Sequence, residues 1–137
     1  MKYTVRPFVN EGKTEEILFD FIPPNEILSC FLVADLGFFP ETYMAAIDAV
    51  LDGKSEKEDL DGNDTNVVFE PEKTTIESLW TEEQGAPAPC VVNTRELRQV
   101  MDEWLSCHNR IMAKRTRNKT EKPQDGAPAA EGKGESR

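Results

Sequence analysis

The strongest pattern in this sequence is an apolar stripe in its second half, and it constrains the fold more than any other feature. Between Leu97 and Ile111, large side chains recur three or four residues apart, which is the spacing of one face of an α-helix. Asn93 precedes this segment and Glu96 follows three residues later, a combination typical of a capping box. The pattern predicts a long amphipathic helix as the spine of the core, with a buried stripe of Leu97, Val100, Met101, Trp104, His108 and Ile111.

Two further helices are predicted in the first half of the chain. From Asn25, apolar residues follow helical spacing as far as Leu36, and Gly37 supplies a stop. The β-branched and aromatic residues of this segment leave a strand open as the alternative. Proline suits the first position of the next helix, which we expect to begin at Pro40 and to end before Gly53. The apolar stripe of that second helix consists of Tyr43, Met44, Ile47, Val50 and Leu51.

Five segments carry the composition of strands. Tyr3–Phe8 alternates weakly and Glu16–Ile22 is a short apolar run that ends at two prolines, so we interpret them as two strands or as a strand and an extended segment. Asn66–Glu70 and Thr74–Trp80 are β-rich runs with a short polar connection, which is typical of an antiparallel hairpin. Cys90–Val92 is a short strand before the last helix.

The second strand of the predicted hairpin has one face that is richer in large apolar groups. Ile76 and Trp80 lie on that face, so we expect the set Thr74, Ile76, Ser78 and Trp80 to point into the core. Together with the helices, these strands predict an α+β fold. In it, a small antiparallel sheet of three or more strands packs against two or three helices.

The composition changes near Thr116, after which no aromatic residue and no aliphatic residue larger than alanine occurs. This predicts a single α+β domain over residues 1–115 and a disordered polar tail over residues 116–137. No apolar run approaches the roughly 20 residues that cross a bilayer, and the N-terminal residues lack the apolar region of a secretory signal. Three widely spaced cysteines do not suggest a disulfide framework. We therefore expect a cytoplasmic protein.

Negative charge is concentrated in the middle of the chain. Between Asp52 and Glu83 there are eleven acidic residues and three basic ones, which account for −8 of the net charge of −10. Because this stretch overlaps the predicted hairpin, we expect the charge on a folded surface that attracts basic proteins, with an ordinary solubilising surface as the alternative. Trp80 is a candidate aromatic anchor there. The predicted partner-binding residues are Asp59, Asp61, Asp64, Glu70, Glu72, Glu77, Trp80, Glu82 and Glu83.

Motifs for catalysis and for cofactors are missing from the sequence, which has no glycine-rich phosphate loop, no Cys-x-x-Cys pair and no His-Glu-x-x-His. The single histidine, His108, continues an apolar stripe and is interpreted as a partly buried structural residue. The segment from Asp59 to Glu70 echoes a calcium loop, but Asp64 stands where glycine is required, so a solvated acidic loop is the better interpretation. We expect no catalytic residue, no cofactor and no metal.

The central elements follow a recognisable order: a helix with a glycine-bearing linker, a glycine-and-asparagine turn, a hairpin, and a closing strand, polar cap and tryptophan-bearing helix. The residues concerned are Ala45–Lys54, Gly62–Phe69, Thr74–Trp80, Cys90–Leu97 and Met101–Leu105. This arrangement resembles the small immunity proteins of bacterial contact-dependent growth inhibition and related polymorphic toxin systems, over about residues 40–110. The resemblance implies a cytoplasmic inhibitor that binds a cognate toxin domain, often a nuclease, and covers its active site. It implies no catalytic residue and no direct contact with nucleic acid or membrane.

Two other hypotheses remain open. The first is a regulator or adaptor of nucleic-acid machinery that uses the basic end of the last helix. The residues of that basic end are Arg110, Lys114, Arg115, Arg117 and Lys119. The second is a small enzyme, for which no catalytic template fits. The oligomeric state is left open.

Overall fold

The N-terminal residues form a hairpin of two long strands. In the computed structural model, which describes the backbone of residues 1–121 and the side chains of residues 1–114, β1 (Lys2–Asn10) pairs antiparallel with β2 (Lys13–Ile22). Both residues of the connecting turn, Glu11 and Gly12, have positive φ, as two-residue hairpin turns require. The first two segments are therefore both strands. β1 is largely exposed, whereas β2 buries Ile17, Phe19 and Phe21.

A second sheet contains four short antiparallel strands. They are β3 (Glu58–Asp61), β4 (Thr65–Phe69), β5 (Lys73–Ser78) and β6 (Cys90–Asn93), and they lie side by side in that order. The predicted hairpin and the short strand before the last helix are confirmed. So is the α+β fold class, since small antiparallel sheets pack against three helices.

Strand β3 corrects the prediction of a solvated acidic loop. Three of its four residues are acidic, and acidic side chains have low strand propensity. The strand nevertheless pairs with β4 along its whole length and places Leu60 opposite the buried Val67. Backbone pairing with an apolar neighbour therefore outweighs the local preference of these residues.

The segment after β2 is helical, so the strand alternative for it is wrong. Helix α1 (Glu26–Cys30) begins at Asn25, whose Oδ1 accepts the N–H of Leu28 at 3.2 Å. It continues as a π-helical segment over Phe31–Leu36. This π-helical segment contains Asp35, whose carboxylate accepts hydrogen bonds from the turn between β3 and β4.

The other two helices are α2 (Pro40–Leu51) and α3 (Thr94–Glu121), both as predicted. Asn93 caps α3, since its Oδ1 accepts the N–H of Glu96 at 2.9 Å. The helix reaches into the first residues of the predicted tail, and residues 122–137 lie outside the described residues. Among the described residues no single helix is long and apolar enough to cross a membrane. Helices α1 and α2 meet that requirement only when taken together, with a bend of 118° between them.

The core lies where α3 meets the hairpin, the sheet and the other helices. Trp104 is fully buried, and its Nε1 donates to the carbonyl oxygen of Ile17 at 2.9 Å, which joins α3 to β2. The predicted stripe is confirmed: Leu97, Val100, Met101 and Trp104 are buried, and His108 and Ile111 are partly buried. The sheet contributes Val67, Phe69 and Ile76, and the other helices contribute Leu28, Phe31, Leu36, Tyr43 and Ile47.

Candidate functional site

A buried carboxylate near the end of α1 holds the turn between β3 and β4. Asp35 is fully buried, and its Oδ1 accepts the N–H groups of Asn63 and Asp64. Its Oδ2 accepts the N–H of Thr65 at 2.9 Å together with the hydroxyl of the same residue. The Asn63 amide also donates to the carbonyl oxygen of Ala34 at 2.9 Å. Because a desolvated carboxylate is stable only when it is hydrogen-bonded in this way, the turn is an ordered part of the fold.

Glycine at position 62 allows this turn to approach the helices closely. A Cβ atom at Gly62 would clash with the carboxylate of Asp35 and with the hydroxyl of Tyr43. Burial, together with the negative charges of Asp35 and Asp61, raises the pKa of Tyr43 to about 12. The phenol beneath the turn is therefore neutral at physiological pH.

One face of the four-stranded sheet, opposite to its buried face, gathers three of the predicted carboxylates. Asp61 on β3 and Glu77 on β5 flank Asn66 on β4 in the strand register. The Asn66 amide donates at 2.7 Å to both Asp59 and Asp61, which holds two carboxylates side by side. We call this surface the outer face, and it consists of Asp59, Asp61, Asn66, Val68, Lys73, Thr75, Glu77, Val91 and Asn93.

The centre of the outer face is uncharged. Val68 lies next to Thr75, and Thr75 lies next to Val91, across three neighbouring strands. Val91 is 63% exposed although it is apolar. This uncharged strip has Asp61 and Glu77 along one side and Lys73 and Asn93 along the other. It resembles the composition of protein interfaces, in which a less polar centre is bordered by polar groups.

Asp64 and Trp80 lie together at the end of the sheet that carries the β3–β4 turn. The indole Nε1 of Trp80 donates to Asp64 Oδ1 at 3.1 Å, and the backbone N–H of Leu79 donates to the Asp64 carbonyl oxygen at 2.9 Å. Trp80 is 52% exposed, which corrects its predicted place on the buried face. The reason is that β5 ends at Ser78, so the alternation that buries Thr74 and Ile76 stops before it reaches Trp80.

Four predicted partner-binding residues lie outside the outer face: Glu70, Glu72, Glu82 and Glu83. Glu70 and Glu72 lie in the β4–β5 connection, at the other end of the sheet from the turn that Asp35 holds. Glu82 and Glu83 lie in a 3₁₀ turn, Glu82–Gln84, that follows Trp80 outside the sheet. The fold thus brings together Asp59, Asp61, Asp64, Glu77 and Trp80. It places Glu70 and Glu72 at the opposite end of the sheet, and Glu82 and Glu83 outside the sheet in the turn after Trp80.

Three exposed apolar side chains near the same turn were missed by the analysis of the sequence. Phe38 and Phe39 lie between α1 and α2, and their N–H groups donate to the carbonyl oxygen of Asp35 at 3.2 and 3.0 Å. Leu79 is the third. The available signal was the Phe-Phe pair directly after the glycine stop of one helix and before the proline of the next, where no helix stripe could bury it.

The histidine and the cysteines offer no assembled catalytic group. His108 is partly buried as predicted. Its Nδ1 lies 2.8 Å from a carboxylate oxygen of Glu16, and its ring stacks on Trp104 with 4.7 Å between centroids. Burial raises the pKa of the Cys30 and Cys90 thiols, which keeps them in the less reactive protonated form. Within the described part of the chain, no group of three or more His, Cys, Asp or Glu side chains is arranged to hold a metal ion.

The basic end of α3 is described only in part. Arg110 and Lys114 are exposed, and the Arg110 guanidinium donates to the Cys107 sulfur at 3.4 Å. The other three basic residues of the second hypothesis, Arg115, Arg117 and Lys119, have side chains outside the described residues.

Comparison with known proteins identifies no relative: no family model, no curated protein and no solved structure matches the chain. The resemblance to immunity proteins therefore stays a prediction.

Proposed function

We propose that this chain is a non-enzymatic acidic protein of the immunity type, which binds a cognate toxin domain in the cytoplasm and neutralises it. The observation that supports this most directly is that Asp59, Asp61 and Glu77 share one solvent-facing surface of an ordered sheet. A basic nuclease groove is a suitable partner because clustered carboxylates accept charge-assisted hydrogen bonds from lysine and arginine. Inhibition would follow from occupation of the groove.

The mechanism combines electrostatic steering with steric occlusion. Asp59 and Asp61 are spaced about 7 Å apart along one strand, and Glu77 lies about 10 Å from Asp61 across two strand spacings. A rigid set of charges at these separations can take the place of phosphates in a basic groove, with little ordering cost on binding. Long-range attraction raises the association rate at low salt, and the exposed strip around Val91 supplies apolar contact after docking.

The test searches the reading frames next to that of this chain for a toxin domain, co-expresses the chain with it and measures growth, followed by binding kinetics of the purified pair. We expect the wild-type chain to restore growth. The variant Asp59→Lys/Asp61→Lys/Glu77→Lys should weaken binding by about 100-fold, because it replaces three attractive groups with repulsive ones at the interface. Much of that loss should appear as faster dissociation.

The matched control is Glu72→Lys/Glu82→Lys/Glu83→Lys, which changes the net charge equally but lies outside the sheet face. It should slow association by about tenfold or less at low salt and leave dissociation unchanged. An equal loss of affinity in both variants would mean that binding depends on the net charge of the protein and not on the carboxylates of the outer face. Unrestored growth with the wild-type chain would overturn the proposed function itself.

A further inference from the structure

We propose that the exposed apolar residues beside the β3–β4 turn dock a basic protein segment that presents arginine next to apolar side chains. The surface, which we call the tip, consists of Phe38, Phe39, Leu79 and Trp80 together with Asp61 and Asp64. The inference deepens the proposed function and rests on it, because it assumes that the chain binds a basic protein. It adds the chemistry of the segment that is bound and two anchor residues outside the predicted site.

Exposure of the tip is the first reason. Phe38 is 69% exposed and Trp80 is 52% exposed, while Phe39 and Leu79 are 46% and 45% exposed. Apolar side chains that lie singly on a surface need no explanation, but here four large ones belong to residues that bond to Asp35 or Asp64, on the two sides of one turn. Tryptophan and other aromatic residues are the side chains that most often anchor protein interfaces.

The rigidity of the tip is the second reason. Its two halves are held by a continuous set of hydrogen bonds, because Asp35 binds Phe38 and Phe39 through its carbonyl oxygen and the turn through its carboxylate. On the other side of the turn, Asp64 holds both Leu79 and Trp80. The patch is therefore ordered before any partner binds, which reduces the entropic cost of docking.

The charge around the patch selects the partner. The segments 14–53, 58–72 and 74–94, which supply every residue of the tip, contain no lysine and no arginine. Lys73, between the last two segments, begins β5 at the opposite end of the sheet. Asp64 adds a carboxylate beside the Trp80 indole, and Asp61 adds another at the end of β3 where the same turn begins. A guanidinium can pair with these carboxylates and stack on an aromatic face, a combination that a lysine ammonium satisfies less well. A second copy of this chain would bring the same carboxylates to the interface, so like charges disfavour it as the occupant.

The experiment uses the intrinsic fluorescence of Trp80 in the full chain. Trp104 is buried, so a change caused by a ligand at the tip is assigned to Trp80 and should disappear in Trp80→Phe. The probes are short peptides of equal charge that alternate arginine with leucine, arginine with glycine, or lysine with leucine. We expect the arginine–leucine peptide to bind at least about tenfold more tightly than either of the other two.

The double variant Phe38→Ala/Phe39→Ala should remove that preference for the arginine–leucine peptide. Its matched control is Phe8→Ala/Val9→Ala, which removes similar apolar groups, 50% and 54% exposed, from β1 of the other sheet. Equal binding of all three peptides, or loss of binding in both double variants, would overturn the inference. A wild-type dimer that becomes monomeric in Phe38→Ala/Phe39→Ala would also overturn it, since a second copy would then occupy the tip. These outcomes do not depend on toxin neutralisation, so the inference and the proposed function can fail separately.

Discussion

Asp35 contributes more to the candidate site than its place in the sequence suggests. It is buried near the C-terminal end of the π-helical segment Phe31–Leu36 that continues α1, where a negative charge is disfavoured by the helix dipole. Among the described residues it forms no ion pair with lysine or arginine. Its charge is instead balanced by the N–H groups of the turn at residues 63–65 and by the hydroxyl of Thr65. One residue thereby positions both halves of the tip.

Replacement of Asp35 by alanine should destabilise the protein by about 3 kcal/mol, because several N–H groups lose their acceptor in a buried place. Urea unfolding followed by circular dichroism measures this loss. Asp48→Ala is the matched control, since it removes a carboxylate that pairs with Arg98 at 2.8 Å in a partly exposed position. The control should cost about 0.5 kcal/mol, as surface ion pairs do. Similar losses in the two variants would contradict the structural role of Asp35.

At the scale of elements, the pairing of β3 with β4 places the acidic side chains of Asp59 and Asp61 on one face of an ordered sheet. β3 is an edge strand of the sheet, and its acidic side chains also discourage pairing with the edges of other molecules. The turn that follows β3 packs against α1 and α2 at Gly62, where no Cβ atom can be accommodated. This close contact and the hydrogen bonds of Asp35 together hold the turn against the helices.

A comparison of two glycine substitutions tests that contact. Gly62→Ala should cost about 3 kcal/mol, because its methyl group would overlap buried groups that are themselves hydrogen-bonded. Gly53→Ala, at the end of α2, should cost only about 1 kcal/mol, since the residue has a φ of 77° and open space around it. Thermal and urea unfolding of both variants give the two values. A Gly62→Ala variant as stable as Gly53→Ala would show that the turn does not pack closely on the helices.

At the scale of the whole molecule, burial and nearby negative charge both raise the pKa of the two tyrosines, Tyr3 and Tyr43. Burial, with the hydrogen bond and charge of Glu103, raises the pKa of Tyr3 to about 12, and the pKa of Tyr43 is raised to a similar value. The folded state therefore holds both phenolic protons more tightly than the unfolded chain, in which tyrosine titrates near pH 10. This contribution to stability is complete below pH 10 and is lost as the pH rises toward 12.

The expected outcome is that phenolate absorbance of the folded protein appears near pH 12, about two pH units later than in strong denaturant. The free energy of unfolding should fall over the same interval, and Tyr43→Phe should reduce the slope. Ultraviolet titration and urea unfolding at several pH values measure the two effects. A folded protein that titrates at the pH of the denatured chain would contradict the burial of these side chains.

Much of the fold could be predicted because its signals are local. The stripe around Trp104, the cap at Asn93 and the hairpin of β4 and β5 follow from spacing and from turn residues, and all are confirmed. Two predictions failed for tertiary reasons. β3 forms because an apolar neighbour pairs with it, and Trp80 is exposed because its strand ends before it. The exposure of Phe38 was not predicted, because the exposure of a side chain depends on which other parts of the folded chain pack against it.

The sequence by itself determined the class of fold, the order of the helices and of every strand except β3, and the sign and place of the charge. Those properties follow from periodicity and composition, which are properties of neighbouring residues. Only the tertiary structure decided which carboxylates share a surface, because that depends on strand register and on the contact between Asp35 and a turn 28 or more residues away. Long-range contacts of this kind leave no periodic trace along the chain, so the outer face and the tip emerge only when the chain is folded.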